Sequence, residues 1–420
     1  MIQAIMVAFL MGLVIIEYHF IKKLLFAPLL LAFIWFAYAS FHIFFNSDYL
    51  TFGPGIMILM YCIALVVLGG LFGSNLAEKF FKKNPHYIKK NETHYNYKGW
   101  IMLAYVSTIL TFGGILFLVK YSFNEFQLFN SAISLLALPQ EFATDRYGGA
   151  QYLPIYLKFL SYMIYPTAIS IGALVGAGRW RNWTRIVPIV LGLCYGVIYS
   201  SRTVVILTVV AMISSEWATR SWQKNNANQL KKLIFFILSA IIIFPIVFIS
   251  LQWLRQGMDA DFILDDMITM ARSSMTGSIS AFTQWYHQWN GLDLAWGRNS
   301  FAGPFELMGI SERVQGFYLD FSEVGTTHIN IYTAFRGILE DYGFLGTTIV
   351  LFFFGFVSAW VFNFVENGWI TFIPLLALLN GWILFSPFIS LFVNNSIIAG
   401  YVIFQMFSFD FLNQKRQINI

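Results

Sequence analysis

Phe52-Gly-Pro-Gly-Ile-Met-Ile-Leu-Met-Tyr-Cys-Ile-Ala-Leu-Val-Val-Leu-Gly-Gly-Leu-Phe-Gly73 carries no charged side chain over its whole length. A hydrocarbon layer about 30 Å thick is crossed by roughly 20 apolar residues wound as a helix, so this stretch is long enough to span a bilayer. Working outward, comparable runs lie near 1–20, 24–45, 98–119, 156–177, 186–201, 203–217, 233–251, 343–363, 368–387 and 396–412. Together they predict about eleven transmembrane helices. The composition demands the same answer. The chain is 58% hydrophobic and 11% charged, against about 25% charged in soluble domains, so a water-facing fold could not cover its own surface. A backbone in lipid must satisfy its own amides, which makes an all-α polytopic membrane protein the expected class, with residues 1–420 as one membrane domain.

Charge placement predicts the orientation. With alternate loops on opposite sides, one side collects 17 of the 26 Lys and Arg, among them Lys22, Lys23, Arg179, Arg181, Arg185, Arg220 and Lys415. The positive-inside rule makes that side cytoplasmic, with the N-terminus outside and the C-terminus inside. No Lys or Arg precedes the first run and no small-residue cleavage site follows it, so it reads as a retained helix. Cys62 and Cys194 both fall in apolar runs and read as core thiols, with neither a disulfide framework nor a Cys/His metal site to be built from them.

Two outer segments are too long to be simple connectors, one near 120–155 and one at 252–342. The second holds Trp253, Phe262, Ile263, Met267, Phe282, Trp285, Tyr286 and Trp289 at roughly helical spacing, which predicts a helical outer loop with aromatics at the membrane interface. Arg202 interrupts an apolar run. At mid-membrane depth a charge there would cost at least ~2.5–3.5 kcal/mol, so it is either the tip of a tight outer hairpin or an anion clamp at the membrane boundary. Guanidinium suits the second role, because its donor fork matches phosphate oxygens. Arg146, Arg255, Arg272, Arg298, Arg313 and Arg336 fall on the same side of an otherwise acidic face, where a lipid diphosphate is the natural anion.

The densest polar stretch is Thr326-Thr-His328-Ile-Asn330-Ile-Tyr332-Thr-Ala-Phe-Arg336. Read as a helix, it puts His328, Tyr332 and Arg336 on one face at successive i+4 positions, either as a packing interface or as a site. Gly343 and Gly346 follow, with close helix contact as their plain reading.

Asn330-Ile-Tyr-Thr333, Arg336, Asp341-Tyr-Gly343 and Gly346 resemble the signature of the bacterial oligosaccharide repeat-unit polymerases, the Wzy-type O-antigen and capsule polymerases. Ser201-Arg202-Thr203 and the large outer loop resemble further elements of that family. The resemblance implies a C-type glycosyltransferase-like helical fold in the bacterial cytoplasmic membrane. It implies transfer of a growing glycan from undecaprenyl diphosphate to an incoming lipid-linked repeat unit on the outer face, with a chain-length-determining co-polymerase as partner and no part for nucleic acid. Related ligases place a His where this chain has Tyr332, one turn beyond His328.

The candidate catalytic residues are therefore His328, Asp341 and Arg336, with Asp320 and Glu323 as further candidates for the base. The substrate-binding candidates are Arg202, Arg255, Asn330, Tyr332, Arg146 and Arg272. Arginines that stabilise a departing diphosphate could replace a metal, so no metal or cofactor is expected. Asp259-Ala-Asp261 reads as loop acid rather than a metal motif. An O-antigen ligase and a flippase for the same lipid-linked sugars are the alternatives.

Overall fold

The computed structural model describes residues 2–23, 25–46, 49–85, 97–125, 138–142, 153–222, 245–254, 264–291, 293–311, 318, 320–325 and 327–416. Its helices in chain order are α1 (Ile2–Ile21), α2 (Ala27–Asn46), α3 (Gly53–Lys83), α4 (Lys98–Glu125), α5 (Ile155–Tyr162), α6 (Ile164–Gly176), α7 (Ile186–Ile198), α8 (Arg202–Trp222) and α9 (Pro245–Leu254). There follow α10 (Leu264–Thr276), α11 (Ser278–Gln288), α12 (Ala302–Leu307), a hairpin of β1 (Ser322–Val324) and β2 (Thr327–Ile329), α13 (Ala334–Glu366), α14 (Ile373–Phe385) and α15 (Asn395–Arg416).

Among the described residues, seven helices are long and apolar enough to cross a membrane, consistent with a polytopic all-α protein. Two of the expected spans are shorter than that. α7 and α14 have 13 residues each, about 20 Å of helix against a 30 Å hydrocarbon layer. The expected span at 233–251 is described only from residue 245. Cys62 is buried as expected, whereas Cys194 is exposed on the surface of α7.

The chain forms two compact units. The first holds α1–α3, α11, α12, the hairpin, α13 and α14, together with residues 269–276 of α10 and 220–222 of α8. Its centre is the long contact between α3 and α13. Gly69, Gly70 and Gly73 of α3 face Phe352, Gly355, Phe356 and Ala359 of α13 or the Pro28 ring of α2, so the α3 and α13 backbones touch where side chains would normally hold them apart. Small residues four apart are the usual means of close helix approach in lipid, where van der Waals contact replaces the hydrophobic drive. On α2, Trp35, Tyr38, His42 and Asn46 fall on one face and reach polar partners: Trp35 Nε1 donates to Ser386 Oγ (3.0 Å), Tyr38 Oη lies 2.7 Å from Ser278 Oγ, and His42 Nδ1 lies 2.8 Å from the Thr276 carbonyl. This stripe seats the α10–α11 junction on α2.

The second unit holds α4–α7, residues 202–219 of α8, α9, residues 264–268 and residues 396–416 of α15. α6 lies against α8 through Gly172 and Gly176, where added Cβ atoms would meet the backbone of Met212 and Glu216. Glu216 is nearly buried and is gripped by Arg185 through Nε (2.8 Å) and Nη2 (2.5 Å). The two partners are not equivalent, since the Arg185 side chain is 31% exposed and that of Glu216 only 9%. Arg185→Leu takes both of these bonds from a nearly buried carboxylate, whereas Glu216→Leu frees an arginine that can reach water, so the first variant should be the more destabilised. Thermal midpoints of the two variants in detergent check this, and the reverse order contradicts it.

Candidate functional site

The stretch expected as a helix through His328, Tyr332 and Arg336 is instead a hairpin followed by extended chain. Val324, Thr327 and Ile329 are β-branched, and Gly325 takes φ +63 in the turn. Pairing is antiparallel with Glu323 opposite His328, so these two share the exposed face while Ser322, Val324 and Ile329 point inward. An L side chain at Gly325 would be strained by that φ and would also strike the Tyr49 ring. Helix begins only at Ala334, after Thr333 in extended geometry. His328, Tyr332 and Arg336 therefore do not share a helical face.

A second departure lies at Gly343. The span expected to start there is the continuation of α13, which starts nine residues earlier and breaks at Gly343 with φ +62 and ψ −171. Such a conformation is open only to glycine at low cost. The break frees carbonyls that must find donors in a membrane protein. Thr347 Oγ1 donates to the Ile338 carbonyl (3.1 Å), and the amides of Ala295 and Trp296 donate to the Glu340 and Asp341 carbonyls (both 3.0 Å). The Asp341 carboxylate completes the clamp, accepting from the Asn299 amide (2.9 Å) and the Ser300 amide (2.6 Å). Asp341 thus fixes residues 295–300 onto the first turns of α13. Fully buried and with both oxygens engaged, it is a structural anchor and a poor candidate for a catalytic base.

Arg336 occupies the middle of this region. Its Nε donates to Glu340 Oε1 (2.8 Å) and its Nη2 to Asp320 Oδ1 (2.9 Å), while its guanidinium lies 3.7 Å from the Tyr318 ring centre, 4.0 Å from Tyr332 and 5.0 Å from Trp285. Nη1 is buried without a hydrogen-bond partner. Glu340 is held on its other side by Asn299 Nδ2 (3.0 Å). Tyr332 is fully buried; its Oη donates to the Asp320 carbonyl (3.2 Å) and lies 3.0 Å from Ser322 Oγ. Asn330 Nδ2 donates to the Tyr318 carbonyl (3.3 Å). Burial, then the Glu340 charge, holds the Tyr318 phenol well above its ordinary range against the pull of Arg336, and burial raises the Tyr332 phenol. Both phenols therefore stay neutral near pH 7.

The charge balance is the feature sequence reading missed. Among the described residues, the guanidinium is committed to two carboxylates, Asp320 and Glu340, with Asp341 held separately by the Asn299 and Ser300 amides, and burial raises the Glu340 and Asp341 carboxyls above their ordinary range. Asp320 alone of the three faces water, with its side chain 55% exposed against 5% for Arg336. The outer-loop aromatics also differ from expectation. Phe282 and Trp285 turn into the protein rather than to a membrane interface, because α11 packs on α3 and β1.

Among the described residues of the first unit, the other candidate arginines have commitments of their own or face outward. Arg272 donates from Nε to the Phe45 carbonyl (3.0 Å) and to Asn46 Oδ1 (3.3 Å), a cation at the C-terminal end of α2 where the helix dipole is negative. Arg202 opens α8 in the second unit, 4.1 Å from the Phe248 ring centre. Arg298 is exposed. Arg146, Arg255 and Arg313 lie outside the described residues, as do Asp259 and Asp261. Among the described residues, no group of three or more His, Cys, Asp or Glu is placed to hold a metal ion.

No family model, no curated protein and no solved structure matches the chain.

Proposed function

We propose that this protein polymerises oligosaccharide repeat units carried on undecaprenyl diphosphate, by glycosyl transfer on the outer face of the bacterial cytoplasmic membrane. The observation that carries the reading is Asp320, a water-facing carboxylate pinned by a buried, ring-stacked arginine beside the mouth of a helix that then runs on as a membrane span. Hydroxyl-rich substrates are met by fixed carboxylates and aromatic edges, and a site at the end of a span suits a substrate whose lipid stays in the bilayer while its glycan stands in water. The family resemblance of Asn330 to Gly346 points the same way. The proposal keeps the eleven-span topology, with the N-terminus outside, the C-terminus in the cytoplasm and a C-type glycosyltransferase-like fold. It keeps Arg202, with Arg255 and Arg146, as candidates for the diphosphate, and a chain-length-determining co-polymerase as partner. A flippase would need a cationic cavity near mid-membrane, whereas Arg336 is committed to two carboxylates at the start of α13.

The direct test is incubation of the purified protein with an undecaprenyl-diphosphate-linked repeat unit, followed by gel separation of the glycans. A ladder of regular increments is expected. Unchanged single units, with or without movement across a vesicle membrane, would contradict the proposal.

A further inference from the structure

Resting on the glycosyl-transfer reading above, we infer that Asp320 accepts the proton of the acceptor sugar's hydroxyl, and that the Arg336 cluster receives that neutral sugar rather than the diphosphate.

The first support is electrostatic. A diphosphate brought to Arg336 would find Nε and Nη2 already donating to Glu340 and Asp320, and the remaining Nη1 buried beneath them. Each nearby carboxylate repels it in a region where low dielectric magnifies charge interactions. A sugar hydroxyl brings no charge and needs only an oriented acceptor.

The second support is geometric elimination. Asp341 spends both oxygens on the amides of Asn299 and Ser300 and is fully buried. Glu340 lies between Arg336 and Asn299 with its side chain 15% exposed. Glu323 and His328 are exposed on the hairpin, but among the described residues no hydrogen bond fixes the carboxylate of one or the imidazole of the other. Among these described candidates, Asp320 alone is both open and held. Arg336 grips its carboxylate and Tyr332 Oη grips its own carbonyl, while the Tyr318 and Tyr332 rings keep the guanidinium from turning. Fixed placement of a reacting group is where much of an enzyme's advantage comes from.

In the step itself, the acceptor oxygen bonds to the anomeric carbon of the donor glycan as its proton passes to an Asp320 Oδ. The bond from that carbon to the diphosphate oxygen breaks, and the electron pair leaves with undecaprenyl diphosphate. Being exposed, Asp320 then returns the proton to water. Arg336 acts through Asp320 and is a positioning residue.

The test compares wild type with Asp320→Asn and Asp320→Glu in the same elongation assay, with thermal midpoints measured alongside. Asp320→Asn should fold like wild type, keep its KM for the lipid-linked repeat unit and lose about 100-fold or more in kcat. Asp320→Glu should recover part of that loss. A folded Asp320→Asn protein with kcat within about threefold of wild type overturns the assignment, as does one whose KM alone rises. A wild-type protein that makes no ladder instead overturns the reading on which the assignment rests, so the two failures are distinguishable.

Discussion

Gly355→Leu should abolish the folded state. A Cβ at position 355 would stand 2.8 Å from the Val66 carbonyl carbon and 3.0 Å from the Gly70 nitrogen, and closer still to the Val66 oxygen. All three are backbone atoms of a helix, so no rotamer change relieves the clash. α3 and α13, with 31 and 33 residues, would have to separate along their shared length. Overpacking ordinarily costs about 1–3 kcal/mol because side chains give way, and here only backbone could give. In a membrane the loss falls directly on van der Waals contact, which is what holds such helices together. The expected result is loss of the monodisperse, detergent-extracted protein, with Gly355→Ala already showing a clearly lowered thermal midpoint. Gly12 in α1 provides the control, since nothing lies within 4 Å of its added Cβ. Gly12→Ala should be neutral, or stabilising by up to about 1 kcal/mol from helix propensity alone. Equal effects of alanine at 12 and 355 would show that the α3–α13 contact does not organise the first unit.

Arg336→Ala should remove both stability and elongation, and the two losses can be separated. Without the guanidinium, Glu340 keeps only Asn299 and becomes a nearly buried, unpaired carboxylate, a situation that typically costs about 3–5 kcal/mol. Asp320, more than half exposed, turns to water at little cost to stability but loses its orientation. Arg336→Lys should not rescue, because an ammonium cannot reproduce the fork that reaches Glu340 and Asp320 together, nor stack flat against Tyr318. The double variant Arg336→Met with Glu340→Gln removes the stranded charge and should recover most of the thermal midpoint. Its elongation rate should remain about 100-fold or more below wild type, since Asp320 is still unheld. Recovery of elongation together with stability would reduce Arg336 to a packing role.

The helices themselves were legible because a charge-free run long enough to span has few alternatives in a chain this poor in charge. Gly53–Lys83 and Ala27–Asn46 form close to where their apolar stretches lie. What escaped sequence reading is instructive in physical terms. The 322–329 hairpin carries its own signal, Glu323-Val324-Gly325 followed by Thr327 and Ile329, but an i+4 pattern of polar residues is equally present and outweighed the period of two. Gly343 and Gly346 were read as small contact residues. At Gly343 the glycine is needed for its positive φ, and the consequence is the capture of residues 295–300 by Asp341. No local pattern announces that capture, because its donors lie more than forty residues upstream. The gathering of arginines was the least legible feature. Positive charges on one face suggest a common anion, yet Arg272 serves the end of α2 and Arg336 serves two carboxylates. Such commitments are set by tertiary neighbours.

One labelling measurement bears most directly on whether the Arg336–Asp320 cluster is an outer-face glycan site. Phe321 is exposed beside Asp320, and Cys194 is the exposed native thiol to be removed first. In a Cys194→Ser, Phe321→Cys protein, a membrane-impermeant maleimide should label residue 321 in intact spheroplasts. A lipid-linked repeat unit should slow that labelling, whereas inorganic pyrophosphate should not. Labelling that appears only after the membrane is permeabilised, or that pyrophosphate slows and the repeat unit does not, would contradict the account.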